Sequence, residues 1–230
     1  MPRPISEKEL FYDRLGASFA TALSDYDTRR RVEVLAGSFL APLGVKGKRT
    51  LDVGCGLGFF SEALLALGAD VTATDLAPSL VQAVKERLTC SAEVADALAL
   101  EAQFGPASFD IVISSECIEH TPDPSAAIRQ MCRVLKPGGH LALSTPNLVW
   151  YPVVAAASRL RLRPFDGLEN FSTFGSIRRV LKEEGLTVLS EEGLHLFPFQ
   201  LGMHGLSTYC DVNLQFAKSL MINLCVVARR

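Results

Sequence analysis

Two hydrophobic periods alternate along most of the chain. Short apolar and β-branched runs such as Thr50–Val53 and Phe109–Ser114 are separated by segments such as Phe59–Leu67, in which apolar residues recur at helical spacing. Strands that alternate with helices are typical of parallel βαβ units, because two parallel neighbours need a crossover connection between them. The pattern therefore predicts an α/β fold.

The predicted elements follow one another in a regular order. The strands are predicted at Thr50–Val53, Asp70–Thr74, Ala92–Ala95, Phe109–Ser114, His140–Thr145, Leu186–Ser190 and Met221–Ala228. The helices are predicted at Phe59–Leu67, Ser79–Leu88, Pro124–Leu135, Phe174–Glu184 and Asp211–Ser219. A turn at Lys136-Pro137-Gly138-Gly139 is predicted to end the third of these helices before the fifth strand begins.

Three regions depart from this alternation. Residues 1–48 predict two helices with a polar break at Ser24–Asp27. Residues 146–173 are too long for an ordinary connection, and residues 193–207 follow no regular period. We interpret the last two regions as acceptor-side insertions of a single domain that spans residues 1–230.

Composition narrows the possible partners. The formal net charge of −2 lacks the basic excess with which proteins neutralise nucleic-acid phosphates, so no nucleic-acid partner is expected. The six cysteines are scattered without CxxC spacing, which indicates reduced thiols and a cytoplasmic location. Charges interrupt the N-terminal residues every few positions, so the pattern of a secretory signal is missing there.

Membrane contact is a separate question. The longest apolar run, Leu148–Ala157, contains Pro152 and is shorter than the ~20 residues that cross a bilayer, so no span is expected. Arg159, Arg161 and Arg163 follow this run, and a basic amphipathic segment can lie on an anionic membrane. Peripheral membrane contact and a solvated helix face both remain open.

Three closely spaced glycines follow the first predicted strand. Gly54, Gly56 and Gly58 precede a predicted helix, at the place where an open parallel sheet binds its ligand. Glycine allows a sharp turn and a close approach to a ligand, and amides at the helix start can donate hydrogen bonds. The spacing is GxGxG, whereas the dinucleotide fingerprint is GxGxxG, so an NAD-binding oxidoreductase is the less favoured alternative.

Two acidic residues accompany the glycines. Asp52 lies two residues before Gly54, where it would repel a pyrophosphate but suit a cationic amino group. Asp75 follows the second predicted strand, at a position from which acidic side chains accept hydrogen bonds from ribose hydroxyls. A structural alternative remains open, in which the glycines form a tight turn and Asp75 caps the helix that begins after Pro78.

Three segments resemble the motifs of one enzyme family. LDVGCGLGFFSEALLALGADVTATD, FDIVISSECIEHTPDP and RVLKPGGHLALSTPN are similar, in this order, to motifs of class I S-adenosylmethionine (SAM)-dependent methyltransferases, over about Thr50–Asn147. Their CGxG loop, ExxEH sequence and Ser-Thr-rich fifth strand are most similar to the ubiquinone-biosynthesis O-methyltransferases. The resemblance implies a Rossmann-like, seven-stranded, mostly parallel sheet with an antiparallel last strand and helices on both faces.

The resemblance also implies a cofactor site. SAM would lie over the carboxyl ends of the first two strands, with its adenine beside the acidic segment after the third. An arginine before the first strand contacts the cofactor in similar proteins, and Arg30 and Arg31 are the candidates here. The predicted cofactor residues are Arg31, Asp52, Gly54, Cys55, Gly56, Asp75, Leu76, Asp96, Ala97 and Ser115.

Glu116, Glu119 and His120 follow the fourth strand at positions i, i+3 and i+4, so they would share one face of a helical turn. Three interpretations remain open. The resemblance implies Mg²⁺ ligands, and the ion would lower the pKa of an acceptor hydroxyl. His120 can instead be a general base that Glu119 orients. In the third interpretation, all three are solvated or packing residues at a helix start.

We therefore expect a SAM-dependent methyltransferase that acts on a small molecule. The expected target is a hydroxyl oxygen of a phenolic, quinol or natural-product acceptor. N- or C-methylation by the same fold is the alternative, and an NAD-binding oxidoreductase is a more distant one. The acceptor itself is not identified, because the predicted insertions carry no decisive motif.

Overall fold

The computed structural model describes residues 3–7, 13, 24–160, 167–197 and 202–230. The first of the two predicted N-terminal helices lies outside the described residues, apart from Asp13, and so does part of each predicted insertion.

The described residues form one seven-stranded sheet. Its strands are β1 (Arg49–Val53), β2 (Asp70–Asp75), β3 (Ser91–Val94), β4 (Phe109–Ser115), β5 (Leu135–Pro146), β6 (Thr187–Leu194) and β7 (Asn223–Arg229). The order is β3-β2-β1-β4-β5-β7-β6, and β7 is antiparallel to both neighbours while the other pairs are parallel. The predicted sheet with a reversed last strand is confirmed.

Helices connect most of these strands. The α-helices described are α1 (Asp25–Val32), α2 (Phe59–Ala66), α3 (Pro78–Arg87), α4 (Leu100–Phe104), α5 (Pro124–Val134), α6 (Tyr151–Arg159), α7 (Phe174–Glu183) and α8 (His204–Asn213). A π-helical segment, Glu33–Leu40, continues α1. Short 3₁₀ turns are present at Ala41–Leu43, Ile118–His120, Leu148–Trp150 and Gln215–Leu220.

The two faces of the sheet support two buried clusters, because successive strand residues point in opposite directions. In β7, Leu224 and Val226 join a cluster that contains the buried residues of α5 and α7. Cys225 and Val227 join the cluster of the π-helical segment and α2. Each fully buried aliphatic side chain of this kind contributes about 1.5–3 kcal/mol. The prediction of helices on both faces is confirmed.

The predicted break at Ser24–Asp27 is wrong, because these residues begin α1. Ser24 is the N-cap, and its side chain accepts a hydrogen bond from the backbone N of Asp27. Asp25 and Asp27 lie in the first turn, where acidic side chains interact favourably with the helix dipole. A short polar cluster with a serine at its start therefore indicates a cap here.

The predicted turn at Lys136-Pro137-Gly138-Gly139 lies within β5, which begins at Leu135. Gly138 has a φ of 79°, and the pairing of β4 with β5 shifts register between Phe109 and Ile111. The glycines therefore accommodate an irregularity in the strand. The short helix α4 was not predicted, because five residues are too few to show a helical period.

The C-terminal region also differs from the prediction. β6 extends to Leu194, and α8 already begins at His204, so the irregular stretch is shorter than residues 193–207. The predicted helix Asp211–Ser219 is wrong, because α8 ends at Asn213 and a 3₁₀ turn follows.

Residues 146–173 contain α6 and the 3₁₀ turn before it. Trp150 Nε1 donates a hydrogen bond of 2.8 Å to Leu220 O, which joins this region to the segment before β7. Within the part of the chain that the structure describes, no helix combines the length and apolar character that a membrane span requires.

Substitution of Gly139 tests the irregularity in β5. A Cβ at this position would lie 2.8 Å from Asp110 O and 2.9 Å from Lys136 O, and backbone atoms cannot move aside cheaply. We expect Gly139→Ala to lower the free energy of unfolding by about 1–3 kcal/mol in urea denaturation.

Gly37→Ala is the matched control, because a Cβ on this exposed glycine would meet no atom within 4 Å. It should leave stability unchanged or raise it by up to about 1 kcal/mol. Equal effects of the two substitutions would contradict the packing argument.

Candidate active site

A cavity of about 290 Å³ opens at the carboxyl edge of the sheet. Gly54 follows β1, Asp75 ends β2, Ser115 ends β4 and Pro146 ends β5, and all four line the cavity. Since β1 lies between β2 and β4, the connections after neighbouring strands diverge here, and open α/β sheets bind ligands in the resulting crevice.

Every predicted cofactor residue except Asp52 lines this cavity, and so do Glu116, Glu119 and His120. The fold therefore brings together residues from four strand ends and from α1. Their detailed geometry shows what each contributes.

The glycine loop needs glycine for two reasons. Gly54 and Gly56 have φ values of 73° and 53°, a left-handed region that strains other residues. A Cβ on Gly54 would also lie 2.4 Å from Cys117 Sγ. The backbone N–H groups of Gly54 and Cys55 both donate to Thr74 O at 2.8 Å, which holds the loop against the end of β2.

The side chain of Asp75 also accepts a hydrogen bond from this loop. Oδ2 accepts a hydrogen bond from Gly56 N and Oδ1 accepts one from Ala77 N, each at 2.9 Å. Ala77 is the N-cap residue of α3 and makes no side-chain capping hydrogen bond, so Asp75 bonds to the residue before the helix and does not cap it. Asp75 also lines the cavity. Burial raises the pKa of this carboxyl.

Asp52 does not occupy its predicted place. It is only 1% exposed and lies outside the cavity wall, so it makes no direct contact there. Leu51 and Val53 point to the sheet face covered by α5 and α7, so Asp52 points to the opposite face, towards α2. Its Oδ2 accepts a hydrogen bond of 2.6 Å from Ser61 Oγ in α2. Burial raises the pKa of Asp52 to about 7.

Arg31 is the arginine that reaches the cavity from α1. Nη1 donates to Ser115 Oγ at 2.7 Å, and Nη2 donates to Asp27 Oδ2 at 2.8 Å. Arg30 instead pairs with Glu33 on the same helix and is not part of the cavity wall. Of the two predicted candidates, the geometry selects Arg31.

Asp96 and Ala97 line the end of the cavity beside β3. Asp96 Oδ1 accepts a hydrogen bond of 2.9 Å from Leu98 N, so a local turn orients this carboxylate. Arg3 Nε lies 2.7 Å from Asp96 Oδ2 and also lines the cavity, a contact that was not predicted. No periodicity or motif around Arg3 indicates such a contact.

Glu116, Glu119 and His120 do not share a helical face as predicted. Glu116 has a φ of 50° and precedes the 3₁₀ turn that contains the other two. Ser144 Oγ donates to Glu116 Oε1 at 3.0 Å, and Thr145 Oγ1 donates to Glu119 Oε2 at 3.1 Å. Burial raises the pKa of both glutamates to about 7.

His120 lies beside these glutamates. Its Nδ1 is 2.8 Å from Leu168 O, and its Nε2 is 3.7 Å from Glu119 Oε1. A carbonyl oxygen only accepts hydrogen bonds, so Nδ1 carries a proton and Nε2 carries the lone pair of the neutral ring.

These three side chains do not fit a metal site. Glu116 and Glu119 direct carboxylate oxygens to different β5 hydroxyls, and His120 is oriented by a backbone carbonyl. Within the described ranges, no three His, Cys, Asp or Glu side chains converge in a way that could hold an ion. The geometry thus gives no support to the Mg²⁺ interpretation.

Several residues of the cavity wall were not predicted. Asp27 was interpreted as part of a polar break, although its i,i+4 spacing to Arg31 is a helix ion-pair signal that could have identified it. Glu169 belongs to the predicted insertion 146–173 and lines the cavity, but no motif distinguishes it.

Comparison with known proteins adds the family. Residues 51–143 match a family model described as a methyltransferase domain. The ubiquinone biosynthesis O-methyltransferase of Xanthomonas oryzae pv. oryzae (strain PXO99A) is 50% identical over 114 residues, 46% of each chain, so this match spans less than half of that relative. The enzyme of the same name from Xanthomonas euvesicatoria pv. vesicatoria (strain 85-10) is 38% identical over 185 residues, 74% of this chain and 75% of the relative.

The chain belongs to the class I SAM-dependent methyltransferases. A solved structure with the same fold is magnesium protoporphyrin IX methyltransferase from Synechocystis PCC 6803, which has bound SAH. The two structures superimpose with a TM-score of 0.66 at 16% sequence identity. The superposition covers 97% of this chain and 99% of the Synechocystis chain.

In this methyltransferase, the matched domain contains only part of the site. The glycine loop, Asp75 and the three residues Glu116, Glu119 and His120 lie within residues 51–143. Arg31 and Phe171 lie outside that range, yet both line the cavity. The glycine loop thus belongs to the matched domain, whereas flanking segments complete the cavity wall.

The buried Asp52 gives this methyltransferase a pH-dependent stability that can be measured. Burial raises the pKa of this carboxyl from its ordinary value near 3.8 to about 7 in the folded chain. Between these values the folded state retains a proton that the unfolded state has lost, so stability falls as the pH rises through this window. Asp52→Asn removes the titration, and it should stabilise the protein relative to the wild type by on the order of 4 kcal/mol at pH 8 but little at pH 4.

Urea denaturation at a series of pH values measures this difference. Asp70→Asn at the exposed start of β2 is the control and should run parallel to the wild type. Parallel curves for Asp52→Asn as well would show that the carboxyl at position 52 does not titrate differently on folding.

Proposed function

We propose that this methyltransferase transfers the methyl group of SAM to a hydroxyl oxygen of a small phenolic, quinol or natural-product acceptor. The observation that carries the proposal is the continuity of one cavity from Gly54 and Asp75 to His120. A donor over the loop and an acceptor beside the imidazole would share one enclosed space. Alignment is most of what the reaction needs, because the sulfonium is already an activated donor. The names of the relatives support O-methylation.

The polar groups of the cavity fit the parts of SAM. Asp75 offers a carboxylate to the ribose hydroxyls, and Asp96 with Ala97 lies where the adenine would bind. Arg31 suits the carboxylate of the methionine moiety, since a guanidinium pairs well with carboxylates. Bound SAM supplies an electrophilic methyl group. The residues of the cavity wall would bind and orient SAM.

His120 is the proposed general base. The Leu168 carbonyl sets the tautomer in which Nε2 accepts protons, and His120 lines the cavity. The proton of the acceptor hydroxyl would move to Nε2 as the oxygen bonds to the methyl carbon, and the carbon–sulfur bond would break to leave S-adenosylhomocysteine as the neutral product. Glu119 Oε1, 3.7 Å from Nε2, would stabilise the imidazolium that forms. Thr145 keeps the other oxygen of Glu119 in place.

The proposed wall around the acceptor consists of Phe171, Glu169 and Pro146, which all line the cavity. The Tyr151 ring stands edge-on to the Phe171 ring at 5.6 Å, so α6 packs beside this wall. The surface around α6 and the segment before β7 exposes apolar side chains, namely Leu148, Val149, Tyr151, Val153, Phe216 and Leu220. These apolar groups support an apolar acceptor and peripheral contact with a membrane that would hold it.

The test is transfer of labelled methyl from SAM to a panel of catechols, phenols, amines and carboxylic acids, with and without EDTA. We expect labelling of a catechol or phenol that persists in EDTA, because the acidic side chains do not converge on a metal position. Loss of labelling in EDTA would restore the Mg²⁺ interpretation. Labelling of an amine or a carbon atom would replace O-methylation with the N- or C-methylation alternative, and no transfer to any acceptor would contradict the proposal.

Substitution of His120 tests the base. His120→Ala should lower kcat about 100-fold with saturating SAM, which is the typical contribution of general-base catalysis. The loss should be much smaller with 4-nitrocatechol, because this acidic acceptor is already ionised at neutral pH. His204→Ala, an exposed histidine outside the cavity wall, is the control and should retain activity. Equal losses with both acceptors would argue against proton transfer at position 120.

A further inference from the structure

A buried group of side chains lies behind Arg31. The carboxylate of Asp27 accepts hydrogen bonds from Arg31 Nη2 at 2.8 Å and from Arg31 Nε at 3.2 Å. Asp27 Oδ1, which also accepts from Arg31 Nε, is 2.9 Å from His195 Nε2. Asp27 thus joins an arginine of the cavity wall to a histidine that follows β6.

His195 is held in an unusual conformation. It is 0% exposed and has a φ of 62°, which few residues other than glycine adopt. Its backbone N donates to Asp211 Oδ1 at 2.9 Å, and its Nδ1 lies 3.4 Å from Ser207 Oγ. Such backbone strain persists only where the surroundings enforce it, and observed strain is a reason to look for a functional role.

The charges of this group are complementary. Burial acts to raise the pKa of Asp27, but the neighbouring Arg31 and His195 outweigh it and lower the pKa to about 2. Asp27 is therefore an ionised partner for the guanidinium. Because His195 and Arg31 both contact the Asp27 carboxylate, His195 helps to fix the orientation of Asp27, and Asp27 in turn sets the orientation of Arg31.

Arg31 is the arginine that the cavity offers to an anionic group. Of the arginines among the described lining residues, Arg3 pairs with Asp96 at the opposite, acidic end. Arg31 uses one Nη1–H for Ser115, and the guanidinium retains further N–H groups for a carboxylate.

We infer that His195 is a positioning residue for the cofactor: through Asp27 it holds Arg31 in the orientation that receives the carboxylate of the methionine moiety. This inference rests on the proposed function, which brings SAM to this cavity. It also changes the role of the segment 193–207, whose His195 contacts the donor-side network instead of the acceptor.

The test compares two ligands that differ at the relevant group. S-adenosylhomocysteine has the amino-acid carboxylate, whereas methylthioadenosine has the same nucleoside without it. Isothermal titration of the full chain should show that His195→Asn raises the Kd for S-adenosylhomocysteine about 10-fold and changes that for methylthioadenosine less than about 2-fold. Equal weakening of both ligands would overturn the inference, because it would indicate a general loss of structure.

Two amide substitutions distinguish the effect of the His195–Asp27 contact from the effect of the positive φ at position 195. Gln places its amide nitrogen near the position of Nε2 and can keep the hydrogen bond to Asp27, whereas Asn is too short but tolerates positive φ better. We expect His195→Gln to retain S-adenosylhomocysteine affinity better than His195→Asn. The reverse ranking would mean that position 195 matters through its backbone alone.

A double-mutant cycle tests whether His195 acts through Arg31. In an Arg31→Gln background, His195→Asn should cause no further loss of S-adenosylhomocysteine affinity, whereas independent effects would multiply. Arg31→Lys serves if Arg31→Gln does not fold by circular dichroism. His204→Gln is the matched control. The native His204 ring stacks on Tyr26 and is not among the described partners of Asp27.

The outcomes also separate this inference from the proposed function. If the wild-type chain binds neither ligand, the proposed function fails. If it binds S-adenosylhomocysteine and His195→Asn binds it equally well, the proposed function stands and the positioning role is wrong.

Discussion

The whole cavity depends on the hydrogen bonds between the loop after β1 and the end of β2. Thr74 O accepts two backbone N–H groups of the loop, and the Asp75 carboxylate accepts a third from Gly56. These bonds fix a left-handed turn that only glycine adopts without strain, and the turn leaves the crevice at the carboxyl edge open.

The cavity wall brings together several buried ionisable groups. Three of them are carboxyls whose pKa values are raised by burial, namely Asp75, Glu116 and Glu119. Arg31 contributes a cation beside Asp27. Removing carboxylates from water is costly unless a partner compensates. A ligand that brings a sulfonium and an ammonium near the acids and a carboxylate near Arg31 would supply such compensation. Because burial raises the pKa values of Glu116 and Glu119 to about 7, the two carboxyls lower the stability of the fold increasingly as the pH rises towards 7.

Much of the fold could be predicted from local patterns. The helices α2, α3, α5 and α7 and all strands except β5 and β6 lie close to their predicted bounds, because hydrophobic period and turn residues are local signals. β5 begins earlier and β6 ends later than predicted. Errors occurred where a local signal has two meanings. Ser24 and the acids after it can interrupt a helix or cap one, and Gly138 can end a helix or relieve a strand irregularity.

The sequence by itself determined the order of strands and helices and the glycine loop with Asp75, since these depend on neighbouring residues. Tertiary structure decided which side chains reach the cavity. Strand alternation turned Asp52 away to Ser61, and Glu116 left the helical face that its spacing predicted. Arg31 meets Ser115 across 84 residues and Asp27 meets His195 across 168, separations that no local pattern encodes. Such contacts exist only after the sheet is assembled, because packing and burial, and not spacing, select the partners.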